Sequence, residues 1–156
     1  MIISDATILI TLINIDEFRL LKFFIDSIII PPEVYSEVSQ KPNAKKYLDY
    51  EINEGFISIA SYTNESLFRE INYILDGGES ASITLAIEKK LPLIIDERKG
   101  RRFAQKQGIE IIGLVGILRF LYLEKRLCRE KVLVIIKKLN GSDFRMSSKL
   151  LGLILA

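Results

Sequence analysis

Histidine is absent from this chain, and cysteine occurs once, as Cys128. Without histidine there is no Ser–His–Asp triad, no imidazole base and no ordinary zinc chemistry. A lone cysteine makes no intrachain disulfide, which fits a reducing compartment and predicts a cytoplasmic protein. Long hydrophobic runs are missing as well. The longest uncharged apolar run, 111–118, stops at Arg119, well short of the ~18 residues that span a bilayer, so no membrane partner is expected. The N-terminus carries no basic segment and Asp5 interrupts its apolar stretch, so no secretory signal is expected either. Repeats, low-complexity segments and Pro/Gly/Ser-rich linkers are also lacking. The chain is therefore expected to form a single domain, 1–156, with a helical tail from about 130 to 156. If it is an enzyme, it works with carboxylates, hydroxyls, amines and guanidinium groups.

What is present is a globular composition: 156 residues, 49% hydrophobic and 27% charged. A domain of this size buries roughly two-thirds of its unfolded surface and needs no staple to fold. The net charge of +2 hides an asymmetry. Residues 1–96 hold 8 Lys and Arg against 15 Asp and Glu, whereas residues 97–156 hold 14 against 5. An acidic first part and a basic second part suit a metal site beside a phosphate-attracting surface. Solvated helix faces would give the same totals.

Short β-branched runs alternate with helical periodicity. Strands are predicted at 2–4, 27–30, 56–60, 93–95 and 110–112. Helices are predicted at 7–14, 16–24, from Pro31-Pro32 to about Ser39, and at 43–53, 64–75, 79–90 and 98–107, with two or three more completing the chain. Short apolar strands between helices imply a mainly parallel sheet covered on both faces. The expected fold is a three-layer α/β/α sandwich. In such sheets ligands bind beyond the carboxyl ends of the strands, which directs attention to Asp5 and Asp96.

Each acid has two readings. Asp5, directly after the first strand, either points into the crevice or caps the next helix. Asp96, with Glu97 beside it, stands likewise before a basic helix. Glu79 follows Gly77-Gly78, which permit a close approach, but Asp76 and Glu79 also have capping-box spacing. Glu33 and Glu37 share a helix face that could simply be solvated. Two aspartates at neighbouring strand ends would bring like charges together, a costly arrangement unless a cation lies between them.

Four segments resemble the PIN-domain family, and within it the VapC-like prokaryotic toxins. They are Ile-Ile-Ser-Asp-Ala-Thr at 2–7, Ile-Pro-Pro-Glu-Val-Tyr-Ser-Glu-Val at 30–38, Asp-Gly-Gly-Glu-Ser-Ala-Ser-Ile-Thr-Leu-Ala at 76–86 and Leu-Ile-Ile-Asp-Glu-Arg-Lys-Gly-Arg-Arg at 93–102. They run in family order to about residue 118, and the tail around Asp143-Phe-Arg-Met-Ser is similar too. The resemblance implies a metal-dependent endoribonuclease whose acids hold Mg²⁺ or Mn²⁺. By position these are Asp5, Glu37, Glu79 and Asp96 as catalytic residues, with Asp5, Glu79 and Asp96 on the metal. Thr7 matches the family's small hydroxyl residue. Glu97, where many toxins continue differently, either helps hold the metal or faces solvent. Glu79 stands where many have aspartate, and Ala6 where threonine is common. The resemblance also implies cleavage by a metal-activated water, 5′-phosphate and 3′-hydroxyl products, an inhibitory antitoxin and a homodimer.

The chemistry suits the residues. A hard cation held by carboxylates activates water and draws charge from a phosphate without histidine. Arg98, Arg102 and Lys106 recur at i, i+4 and i+8, a track for RNA phosphates or else ordinary surface charge. Other acid-mouthed sheets fit less well. Receivers pair acids before the phosphorylated aspartate, and dehalogenase-like phosphatases want Asp-x-Asp, whereas Thr7 stands two residues after Asp5. A glycine-rich dinucleotide fingerprint is absent. The competing non-enzymatic reading is a PIN-like fold kept as an RNA- or protein-binding module. Apolar residues crowd 132–139 and 147–156, so the tail is expected either to pack in its own core or to cover a partner.

Overall fold

A computed structural model describes residues 1–142 and 147–156; Asp143, Phe144, Arg145 and Met146 of the tail motif lie outside the described residues. The elements run β1 (Ile2–Ser4), α1 (Ala6–Asn14), α2 (Arg19–Phe24), β2 (Ile28–Ile30), α3 (Pro32–Val38), α4 (Pro42–Asn53), β3 (Ile57–Ile59), α5 (Glu65–Asn72), α6 (Gly77–Lys89), β4 (Leu93–Ile94), α7 (Arg98–Lys106), β5 (Ile111–Ile112), α8 (Leu114–Leu123), α9 (Arg129–Asn140) and α10 (Ser148–Leu155). Every strand pairing is parallel, in the order β3-β2-β1-β4-β5. The fold is a three-layer α/β/α sandwich with β1 at its centre.

The strands are short and almost wholly isoleucine and leucine; the central β2, β1 and β4 are covered on both faces, whereas the edge strand β3 leaves Ser58 and Ile59 exposed. Alternate side chains enter alternate cores. Ile2, Ile28, Ile30 and Ile94 face one core, shared with α1, α2, α3, α4, α8, α9 and α10. Ile3, Ile29, Leu93 and Ile95 face the other, shared with α5, α6 and α7. Ile3 lies opposite Leu93 and Ser4 opposite Ile94, and this register decides where the strand-end acids point.

The expected helix over 16–24 forms only from Arg19. Asp16 adopts a left-handed conformation (φ 58°), and the Glu17 N–H turns back to donate to the Leu12 carbonyl at 2.8 Å. The helix expected from Glu79 begins two residues earlier, at Gly77, because Asp76 caps it. Much of the apolar tail lies in the chain's own core. Val132, Ile135, Ile136, Leu139 and Ile154 are buried, and Leu150, Leu151 and Leu155 pack against them. Leu133, Val134 and Leu153 remain exposed. Among the described residues, no helix is long and apolar enough to cross a membrane.

Candidate functional site

The site grows from the carboxyl end of β1. Asp5 N–H donates to the Ile94 carbonyl at 3.0 Å, which extends the β1–β4 pairing by one residue and fixes the Asp5 backbone. Asp5 occupies the N-cap position of α1 but makes no side-chain capping hydrogen bond. Its carboxylate is buried and faces α6: Oδ1 stands 3.7 Å from where a Cβ on Gly78 would lie.

Gly78 is the pivot. A Cβ there would sit 2.7 Å from Glu37 Oε2 and 3.7 Å from Asp76 Oδ1. The missing side chain leaves room for Glu37 to reach over from α3. Asp76 caps α6 by accepting the Glu79 N–H at 2.8 Å, and Glu79 is buried on the first turn. Glu79 Oε2 also lies 3.4 Å from a Cβ position on Gly100, in the first turn of α7. Two glycines thus let two helix starts close on the same acids.

The electrostatics follow from this crowding. Burial pushes the Asp5 carboxyl up to about 7, the Ala6 N–H opposes the rise, and Asp76, Glu37 and Glu97 add to it. Burial pushes Glu79 up to about 8, reinforced by Asp76, Asp5, Glu97 and Glu37. Glu37 is raised by burial and by Asp76. The charges acting on Asp5 and Glu79 are therefore carboxylates, an arrangement that costs energy in the absence of a cation.

The structure does not bring Asp96 into this group, although it lies just beyond β4. Register explains why. Ile94 faces the α8 side of the sheet and Ile95 the α6 side. By the two-residue period Asp96 follows Ile94, and Glu97 follows Ile95 toward Asp5 and Glu79. Both Asp96 carboxylate oxygens lie within reach of the Leu114 N–H, at 3.2 and 3.3 Å. Burial raises Asp96, while the Leu114 N–H and Arg101 lower it. Glu97 itself is exposed. Asp76 was read from the sequence only as a cap. Its place directly before Gly77-Gly78 was the available signal that it also belongs to the acid group. Thr7 is exposed on the first turn of α1, and Glu33 lies one turn before Glu37 on α3.

On α7, Arg98, Arg102 and Lys106 are exposed while Gly100 and Ala104 are buried. Arg101 turns inward instead, and its Nη1 donates to the Ile95 carbonyl at 2.8 Å. The cationic face thus begins beside the acids.

The donors are all oxygen, two of them are held near neutrality by burial and like charge, and this fits a hard divalent cation. Among the described residues no three acids stand close enough to form a closed cage. Mg²⁺ does not require one, since it binds through one or two carboxylates and keeps several waters.

A parallel α/β/α sheet with carboxylates gathered beyond its strand ends places them in the crevice where such open sheets bind ligands. A family model described as a PIN domain matches residues 1–156, and the chain belongs to the PIN-domain family. PIN domains are generally nucleases and typically use divalent metal ions. No curated protein matches the chain.

Proposed function

We propose that this protein is a Mg²⁺- or Mn²⁺-dependent endoribonuclease of the cytoplasm, the VapC-like toxin of a toxin–antitoxin pair. The observation that carries the reading is the convergence of Asp5, Glu37, Asp76, Glu79 and Glu97 at the end of the sheet, next to the exposed cations of α7. In this reading Asp5 and Glu79 hold the cation, and Glu37 and Glu97 complete the set directly or through water. A divalent cation there supplies the Lewis acidity that activates water and relieves charge on a phosphate. Arg98, Arg102 and Lys106 bind RNA phosphates without reading sequence. Asp76 holds the start of α6 so that Glu79 enters the group.

The partners follow from the same reading: single-stranded or loop RNA as substrate, an antitoxin as inhibitor and a second copy of the chain. Since most of the tail is internal, the dimer rests on the exposed Leu133, Val134 and Leu153. A mass near 17.8 kDa in light scattering would refute it.

The open spacing of the acids favours a second reading, a non-catalytic PIN-fold module that binds RNA or protein. One experiment separates the two. Purified protein is incubated with single-stranded RNA and Mn²⁺, with EDTA, and as Glu79→Gln. The nuclease reading expects cleavage that stops in both controls. Cleavage that survives Glu79→Gln, or a wild-type protein that binds RNA without cutting it, overturns that reading.

A further inference from the structure

We propose that Asp96 is a positioning residue: with Arg101 and Gly113 it forms a clasp that fixes the β4–α7 junction and turns Glu97 toward the acid group. The proposal rests on the nuclease reading only for what the acid group does. The geometry of the clasp stands apart from it.

Three elements meet here. Asp96 lies two residues beyond the end of β4 and accepts the Leu114 N–H from the start of α8. Arg101 reaches back from α7, donates to the Ile95 carbonyl at 2.8 Å, and carries its charge close to Asp96. Ile95 N–H donates to the Ile112 carbonyl at 3.0 Å, so Ile95 is held through both its backbone groups. Gly113 supplies the space. A Cβ there would collide with the Asp96 carboxylate and stand 2.7 Å from Arg101 Nη1. Gly113 has φ −109° and ψ −177°, extended backbone open to any residue, so the demand for glycine is one of space and not of backbone conformation. Residues 95 and 96 are therefore pinned on both sides, and the next residue, Glu97, has its direction set by them. An acid that satisfies a helix N-terminus and sits beside a guanidinium already has its partners. Glu97 is exposed, and by the two-residue period it follows Ile95 onto the α6 side of the sheet, where Asp5 and Glu79 lie.

The test uses full-length protein with Asp96→Asn, Asp96→Ala, Gly113→Ala and Glu97→Gln. In the metal-free protein, hydrogen exchange at the Leu114 amide reads the clasp, and the NMR position of the Glu97 amide reads its consequence. Calorimetric titration with Mn²⁺ alone reads the acid group. The clasp expects Leu114 protection to fall at least tenfold in Asp96→Ala but to persist in Asp96→Asn, whose amide oxygen still accepts. It expects Gly113→Ala, which alters no carboxylate, to move the Glu97 amide signal. Mn²⁺ affinity should fall about tenfold in Glu97→Gln, Asp96→Ala and Gly113→Ala, yet stay within threefold in Asp96→Asn. If Asp96→Asn costs as much Mn²⁺ affinity as Glu97→Gln, Asp96 is itself a ligand and the proposal fails. It also fails if Gly113→Ala leaves the Glu97 signal in place. A wild-type protein with no Mn²⁺ binding would sink the nuclease reading, and the exchange and NMR results would then decide the clasp alone.

Discussion

Buried acids occur at both ends of α1, and they are treated oppositely. At its start, Asp5 and the neighbouring Glu79 have other carboxylates for company and are pushed up to about 7 and about 8. Beyond its other end, roughly 13 Å along a nine-residue helix, Glu17 is buried but receives Lys131 and Lys138 Nζ at 2.7 and 2.8 Å. Burial works against its charge, yet the two lysines hold it below the usual glutamate range. Glu51, also buried, has Lys22 Nζ at 2.8 Å. The molecule supplies counter-charge where an acid ties helices together and withholds it where the sheet opens. Uncompensated acids in a crevice mark function, while compensated ones mark structure.

The largest effect should come from removing a charge at each end. Glu79→Gln is expected to lower RNA cleavage at least a hundredfold while raising the melting temperature of the metal-free protein at pH 8. Glu17→Gln is expected to leave cleavage within twofold and to destabilise by about 1–2 kcal/mol, a discounted figure because both lysines are substantially exposed. Thermal melts and cleavage rates on the two variants check the opposed signs, and matching signs would break the comparison.

The pH dependence sharpens it. Asp5 rises from 3.8 to about 7 and Glu79 from 4.5 to about 8 on folding. Between those limits the folded protein holds protons that the unfolded chain has lost. Their stabilising contribution is complete below about pH 4 and is lost as pH rises through 7 to 8. Metal-free melting temperatures should therefore fall steadily from about pH 4 to about pH 8. Saturating Mn²⁺ should flatten the fall. Glu17 runs the other way, its contribution being lost only as pH drops below the glutamate range.

Gly78→Ala should separate site from scaffold. The added Cβ meets the free end of Glu37 and not backbone, and alanine favours the helix. Stability should stay within about 1 kcal/mol while cleavage falls about tenfold as Glu37 is displaced. Equal losses of stability and activity would instead make Gly78 a packing residue. The smallest effect belongs to α7. Replacing Arg98, Arg102 and Lys106 with alanine should weaken RNA binding severalfold and reduce the salt slope by about 2, without change in Mn²⁺ affinity. An unchanged slope would return these residues to ordinary surface charge.

Much of this was legible before folding was considered. The isoleucine-rich runs announced buried parallel strands, because only strands covered on both faces are apolar throughout. Asp5 was legible as a candidate because it directly follows such a strand. Asp96 stands just beyond one as well, yet it is the residue whose direction could not be read. A one-residue step in a pleated strand reverses the face, and the end of a strand cannot be located to one residue from its composition. The sharing of acids across Gly78 and Gly100 was equally hidden, since it depends on how α3, α6 and α7 converge.

By itself the sequence determined the chemistry available, with carboxylates and cations and no histidine, and the alternation that makes an α/β/α sheet. Local pattern is enough for both, because composition and periodicity are properties of neighbours along the chain. Only the tertiary structure decided which acids meet. It brought Glu37 and Asp5 together over Gly78 and gave Asp96 to the start of α8. It also drew most of the apolar tail into the core. Each of these outcomes depends on register, pleat and the space left by a missing side chain, which exist only once distant segments pack.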